Sequence, residues 1–180
     1  AALVRQLGVD RADFFGYSMG AALALDLGLR YPDLVSKLVL ASVSFSPAGL
    51  HPGLFDGTEQ VGPEALAGSP FEQEYLRIAP SPQDWPVLIE KNNQLDQNLP
   101  DLDPRLVASL APPALLVLGD SDIITLEHIV EMFRLLGGGV PGDVTGLPKC
   151  QLAVLPGTMH ITVPSRADLL GAMIPAFLDA

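Results

Sequence analysis

Apolar positions along the chain fall into short continuous runs that alternate with helical stripes. Ala12 to Tyr17, Leu38 to Val43, Ala114 to Leu118 and Leu152 to Leu155 are compact apolar runs of the kind buried parallel strands use. Between them lie helix patterns. Met19 to Arg30 is rich in Ala and Leu and is stopped by Tyr31-Pro32. Leu126 to Leu136 follows a capping Thr125 and ends at Gly137, Gly138 and Gly139. The last helix starts at Ser165-Arg166-Ala167-Asp168, with a stripe of Leu169, Leu170, Met173, Ile174, Phe177 and Leu178 and a kink expected at Pro175.

The stretch from about residue 44 to 110 has a different character. It is Pro-rich and carries the single Trp. Ser69-Pro70-Phe71-Glu72 reads as a capping box with Pro in the first helical turn, and Asp103-Pro104 as another helix start. The pattern divides the chain into a core part at 1–43, a helical and irregular insertion at 44–110, and a second core part at 111–180. Strand–helix alternation in both core parts predicts an α/β fold, a mostly parallel sheet with helices on both faces.

Composition narrows the function classes. The 180 residues are 48% hydrophobic and 17% charged, enough to bury a core and too apolar for a disordered chain. The net charge of −11 repels phosphate backbones and anionic lipid, so neither nucleic acid nor a membrane surface is expected as a partner. The best apolar run, Ala21 to Leu29, is interrupted by Asp26 and is too short to cross a bilayer. One cysteine, Cys150, precludes an internal disulfide and suits a cytoplasmic location. No His, Cys, Asp and Glu cluster has metal-ligand spacing, so neither metal nor other cofactor is expected.

Three segments carry candidate chemistry. Gly16-Tyr17-Ser18-Met19-Gly20 lies between a predicted strand and a predicted helix. A tight turn there would expose the Ser18 hydroxyl, small residues on either side would relieve crowding, and the helix start would offer free N–H groups to an oxyanion. Gly119-Asp120-Ser121-Asp122 directly follows a strand; on its own it reads first as an acidic turn or a cap for the next helix, and alternatively as the place of a carboxylate that orients a base. His160 follows the last strand in Leu155-Pro156-Gly157-Thr158-Met159-His160. His51 falls in the irregular middle, and His128 beside Glu127 reads as a solvated helix face.

Serine, acid and histidine occur in that order, each at the end of its own strand, with gaps of 104 (122 − 18) and 38 (160 − 122) residues. This order and placement resemble the α/β-hydrolase fold family, over essentially the whole chain. The resemblance implies Ser18 as nucleophile, His160 as general base and then acid, and Asp122, selected over Asp120 by a Gly-x-x-Asp pattern, as its orienting partner. It implies an oxyanion donor at the Met19 N–H and a lid in the insertion, where Phe45, Phe71, Tyr75 and Trp85, with Leu50, Leu54, Phe55 and Leu76, either line a pocket or pack the lid onto the core; Tyr17, beside Ser18, is a further candidate substrate contact.

A serine nucleophile implies acyl chemistry on a small or medium neutral carboxylic ester through an acyl-enzyme. Carbon–carbon bond hydrolysis and cofactor-free perhydrolysis are the alternatives on the same fold, and a non-catalytic ligand-binding module is the alternative of another class. A nucleotide-binding domain lacks its phosphate-binding loop. Ala1 to Leu7 reads as mid-helix, and no front-loop motif for a second oxyanion donor is present. The resemblance therefore implies a longer natural protein, a weakly active or inactive isolated chain, and association through the exposed edge of the nucleophile strand.

Overall fold

The structure, a computed structural model, describes residues 1–53, 62–96 and 101–180. Four strands, β1 (Ala12–Tyr17), β2 (Val35–Ala41), β3 (Ala114–Ser121) and β4 (Cys150–Met159), form one sheet in the order β1-β2-β3-β4, every neighbour pair parallel. The helices are α1 (Ala2–Gln6), α2 (Met19–Arg30), α3 (Pro70–Ile78), α4 (Trp85–Asp96), α5 (Pro104–Ala108), α6 (Leu126–Leu135), α7 (Gly142–Thr145) and α8 (Ala167–Leu178). No described helix is long and apolar enough to cross a membrane.

The chain divides into two compact units, residues 1–51 with 101–180, and residues 52–100. The second unit is thus shorter than the stretch 44–110 set apart by composition. Phe45 and Val107 are buried in the first unit's core, and the Leu102 N–H donates to the Phe45 carbonyl at 2.9 Å. Leu54 and Phe55 lie outside the described residues.

In the first unit the two-residue period of the strands sorts the core onto two faces. Leu38, Leu40, Leu116 and Leu118 point to one side, where Ala21, Ala24 and Leu25 of α2, Val107 of α5, and Ile129 and Met132 of α6 cover them. Val39, Ala41, Leu115 and Val117 point to the other, against Val163 and against Leu170 and Phe177 of α8. Each of the four fully buried leucines contributes about 1.5–3 kcal/mol relative to exposure. Parallel strands buried on both faces need continuous apolar runs, as their sequences show.

Local chemistry sets the ends of these elements. α6 closes in a Schellman motif: Gly137 has φ 87°, its N–H reaches the Arg134 carbonyl and the Gly138 N–H reaches that of Phe133. Gly137, Gly139 and Gly142 happen to have dinucleotide-fingerprint spacing, but they follow a helix rather than a strand, so that motif's structural context is absent. Lys37 Nζ donates to the carbonyls of Phe177 and Leu178, satisfying the last turn of α8, which runs on through Pro175. β2 stops at Ala41, two residues earlier than its apolar run, because Ser42 turns into the left-handed region at φ 53°.

In the second unit Ser69 caps α3 by accepting the Glu72 N–H, and the Glu72 carboxylate reaches back to the Gly68 N–H at 2.6 Å. This is the expected reciprocal cap, displaced by one residue. Tyr75 and Trp85 pack ring against ring at 5.4 Å, whereas Phe71 is exposed.

Candidate active site

Ser18 sits between the last residue of β1 and the first of α2, at φ 53° and ψ −120°. A non-glycine residue there is strained, and such strain persists only where the surroundings over-determine it. Its N–H donates to the Ala41 carbonyl at 2.9 Å, and its own carbonyl accepts the N–H groups of Ala21 and Ala22. A side chain on Gly16 would sit 2.3 Å from the Gly20 carbonyl oxygen, so the turn demands glycine there. Gly20 differs from the sequence expectation: a Cβ on it would meet nothing within 4 Å, because its Cα faces open space and only its carbonyl is crowded. Met19 is the first residue of α2, and helix geometry provides no acceptor for its N–H.

The fold brings the three separated sequence candidates together. Ser18 Oγ lies 2.9 Å from His160 Nε2, and His160 Nδ1 lies 2.8 Å from Asp122 Oδ1. An ionised carboxylate only accepts, so Nδ1 carries the proton and Nε2 offers its lone pair to the serine hydroxyl. The Asp122 side chain is fully buried, whereas that of His160 keeps 15% exposure. Asp122 also accepts the Ser42 hydroxyl at 2.6 Å and the Ile124 N–H at 3.3 Å. Burial alone would raise the Asp122 carboxyl. The hydrogen bonds from His160 and Ser42, the charge of His160 and the Ile124 N–H outweigh burial and hold it below the usual carboxylate range.

Some sequence candidates fall elsewhere. The Tyr17 hydroxyl donates to the His160 main-chain carbonyl at 2.8 Å, and the two rings lie 5.3 Å apart. Tyr17 therefore braces the histidine instead of offering a free hydroxyl to a pocket. Phe45 is buried and stacks on His128 at 4.2 Å, so it packs the core and borders a cavity beside His128 that does not include Ser18. His128, read as solvated, is also buried: its Nε2 lies 2.9 Å from Ser44 Oγ and accepts the Phe45 N–H, and burial holds its pKa below the ordinary value. Helical periodicity could not reveal this, because the partners come from a loop some 80 residues away (128 − 44 = 84). A cavity of about 340 Å³ beside His128, lined also by Thr125, Glu127 and Glu131, contains neither Ser18 nor His160. His51 is exposed.

Ser42 and Tyr17 hold Asp122 and His160 in ways composition does not disclose. The signal for Ser42 lay in its position at the end of β2, beside the strand that leads to Asp122.

The fold has counterparts among known proteins. The sequence pattern of the alpha/beta hydrolase fold matches residues 1–120, which include Ser18 and stop short of Asp122 and His160. A 51-residue stretch is 39% identical to the putative carbamate hydrolase RutD of Rhizobium rhizogenes, covering 28% of this chain and 19% of that protein. The chain is 26% identical to the uncharacterized hydrolase YugF of Bacillus subtilis, spanning 98% of itself and 68% of YugF. The fold is similar to that of a meta-cleavage product hydrolase from Pseudomonas fluorescens, with a TM-score of 0.68 at 19% identity over 98% of this chain and 68% of the other. A parallel sheet with helices on both faces, a strained serine turn after β1 and a match over two thirds of the residues (120 of 180) agree: this chain belongs to the α/β-hydrolase fold family.

Proposed function

We propose that the chain carries the reactive centre of a serine hydrolase that cleaves small or medium neutral carboxylic esters through an acyl-enzyme. The observation that carries this reading is the unbroken relay from Ser18 Oγ through His160 to Asp122, at 2.9 and 2.8 Å. His160 Nε2 takes the hydroxyl proton as Ser18 Oγ bonds to the ester carbonyl carbon. The oxyanion so formed accepts the Met19 N–H at the start of α2. The tetrahedral species collapses, the carbon–alkoxide bond breaks, and His160 delivers its proton to the departing alkoxide. Water then attacks the acyl-serine, giving its proton to His160, and collapse returns Ser18 to its hydroxyl form. Asp122 stays ionised throughout and holds the imidazolium.

Two features support a neutral, apolar substrate. Met19, Met159 and Ile161, the immediate neighbours of the reacting residues, are exposed apolar side chains at 53%, 52% and 61%. The nearby guanidinium of Arg166 is engaged by the Pro156 carbonyl, Thr158 Oγ1 and Asp168, so it is not poised to grip a substrate carboxylate.

Labelling with a fluorophosphonate tests the reading. Stoichiometric modification of Ser18, abolished in Ser18→Ala, is the expected result. A wild-type chain that remains unlabelled, or a Ser18→Ala variant labelled equally, would overturn it. Product analysis on p-nitrophenyl esters against vinylogous diketones separates ester from carbon–carbon cleavage.

A further inference from the structure

The pairing of β3 with β4 changes register beside the reactive centre. Gly119 pairs with Leu155 and Ser121 with Met159, so the single residue Asp120 faces three residues, Pro156, Gly157 and Thr158. Such a bulge takes N–H groups out of the ladder and leaves them to be satisfied some other way. Asp120 does this with both carboxylate oxygens: Oδ2 accepts the Gly157 N–H at 2.8 Å and Oδ1 the Thr158 N–H at 3.0 Å. Gly157, at φ 58°, takes the left-handed conformation that lets two successive N–H groups converge on one carboxylate.

The other groups of the bulge are held as well. The Pro156 carbonyl accepts the Thr158 hydroxyl at 3.0 Å and Arg166 Nη1 at 2.8 Å, and Arg166 also donates to Thr158 Oγ1. Thr158 is completely buried, and a Cβ on Gly119 would stand 2.2 Å from its carbonyl oxygen. His160 follows Thr158 by two residues. A one-residue slip in a strand reverses its side chains, so the register of this bulge decides whether His160 meets Ser18 and Asp122 at all.

We infer that Asp120 is a positioning residue, which locks the β4 bulge in register and thereby places the His160 ring between Ser18 and Asp122. Its consequence for reactivity rests on the serine hydrolase reading, whereas its consequence for His160 geometry does not. The segment Gly119-Asp120-Ser121-Asp122 then has two carboxylates with separate tasks: Asp122 holds the imidazole ring and Asp120 the main chain that carries it. The N–H groups of Gly157 and Thr158 accordingly hold the Asp120 carboxyl below its ordinary range, although the residue is exposed. Asparagine cannot replace it, because an amide has one accepting atom and turns its NH₂ group towards the second N–H.

The test compares the wild-type chain with Asp120→Asn and with Asp26→Asn, a matched change on α2 that removes only a surface pair with Arg30. Two readouts are taken well below the melting temperature: the low-field Nδ1 proton of His160 by NMR, and the rate of fluorophosphonate labelling of Ser18. Asp120→Asn is expected to lose or broaden the His160 signal and to slow labelling at least 10-fold, while Asp26→Asn changes neither. An Asp120→Asn chain that is folded and keeps the wild-type His160 signal would overturn the inference, even if its melting temperature falls. A wild-type chain that shows the His160 signal yet resists labelling would count against the hydrolase reading alone, and the NMR comparison would still judge Asp120.

Discussion

The hydroxyl of Tyr17 donates to the main-chain carbonyl of His160 across 2.8 Å, so the residue before Ser18 holds the backbone of His160. Burial, and then the charge of Asp122, push the Tyr17 phenol above its ordinary range. It therefore remains a protonated donor through neutral and mildly alkaline pH. Tyr17→Phe removes this single hydrogen bond at nearly constant volume. The expected loss of stability is about 1 kcal/mol. Labelling of Ser18 should slow several-fold as His160 gains freedom. Thermal unfolding and labelling rates measured together check both; a variant unchanged in both would show that the bond is idle.

Ser42 has φ 53° and directs its hydroxyl at Asp122 from the end of β2. Ser42→Ala removes the donor and keeps a Cβ at the same φ, which isolates the hydrogen bond. The folded carboxyl of Asp122 is depressed below its unfolded value of about 3.9. Its stabilising contribution is therefore present above that value and lost as pH falls through the folded pKa. Without the Ser42 hydroxyl the folded pKa rises, and the acid-unfolding midpoint should move to higher pH. Acid titrations followed by circular dichroism of the two proteins give the answer.

Two glycines of one pentapeptide should respond in opposite ways to the same substitution. Gly16→Ala drives a methyl group against the Gly20 carbonyl and should cost about 1–3 kcal/mol or more. Gly20→Ala places the methyl in open space on a helical backbone, and should be neutral or stabilising by up to about 1 kcal/mol. Denaturant midpoints of the two variants decide it, and equal destabilisation would contradict the geometry.

Cys150 is buried at the start of β4, and burial pushes its thiol up to about 12. The reactive thiolate is then scarce at neutral pH. Iodoacetamide at pH 8 should modify Cys150 only as fast as the chain opens, with the rate rising steeply near the unfolding midpoint. Rapid modification of the folded protein would refute this.

Much of this molecule was legible in its residues. Apolar runs between turn signals placed four strands, and α2 runs from Met19 to Arg30 as its pattern predicts, because strand and helix periods are local properties of a chain. The order of Ser18, Asp122 and His160 at strand ends was visible for the same reason: a strand end is a local event. Other matters were settled only in three dimensions. His128 and Phe45 are buried by partners distant in sequence, and no helical pattern carries that information. The family resemblance selected Asp122 over Asp120, and the sequence assigned Asp120 no task, because a bulge exists only once β4 lies beside β3. Hydrophobic period determines which segments become strands and helices. Which side chain meets which is decided by register and packing, since a shift of one residue along a strand preserves every local preference and reverses every contact.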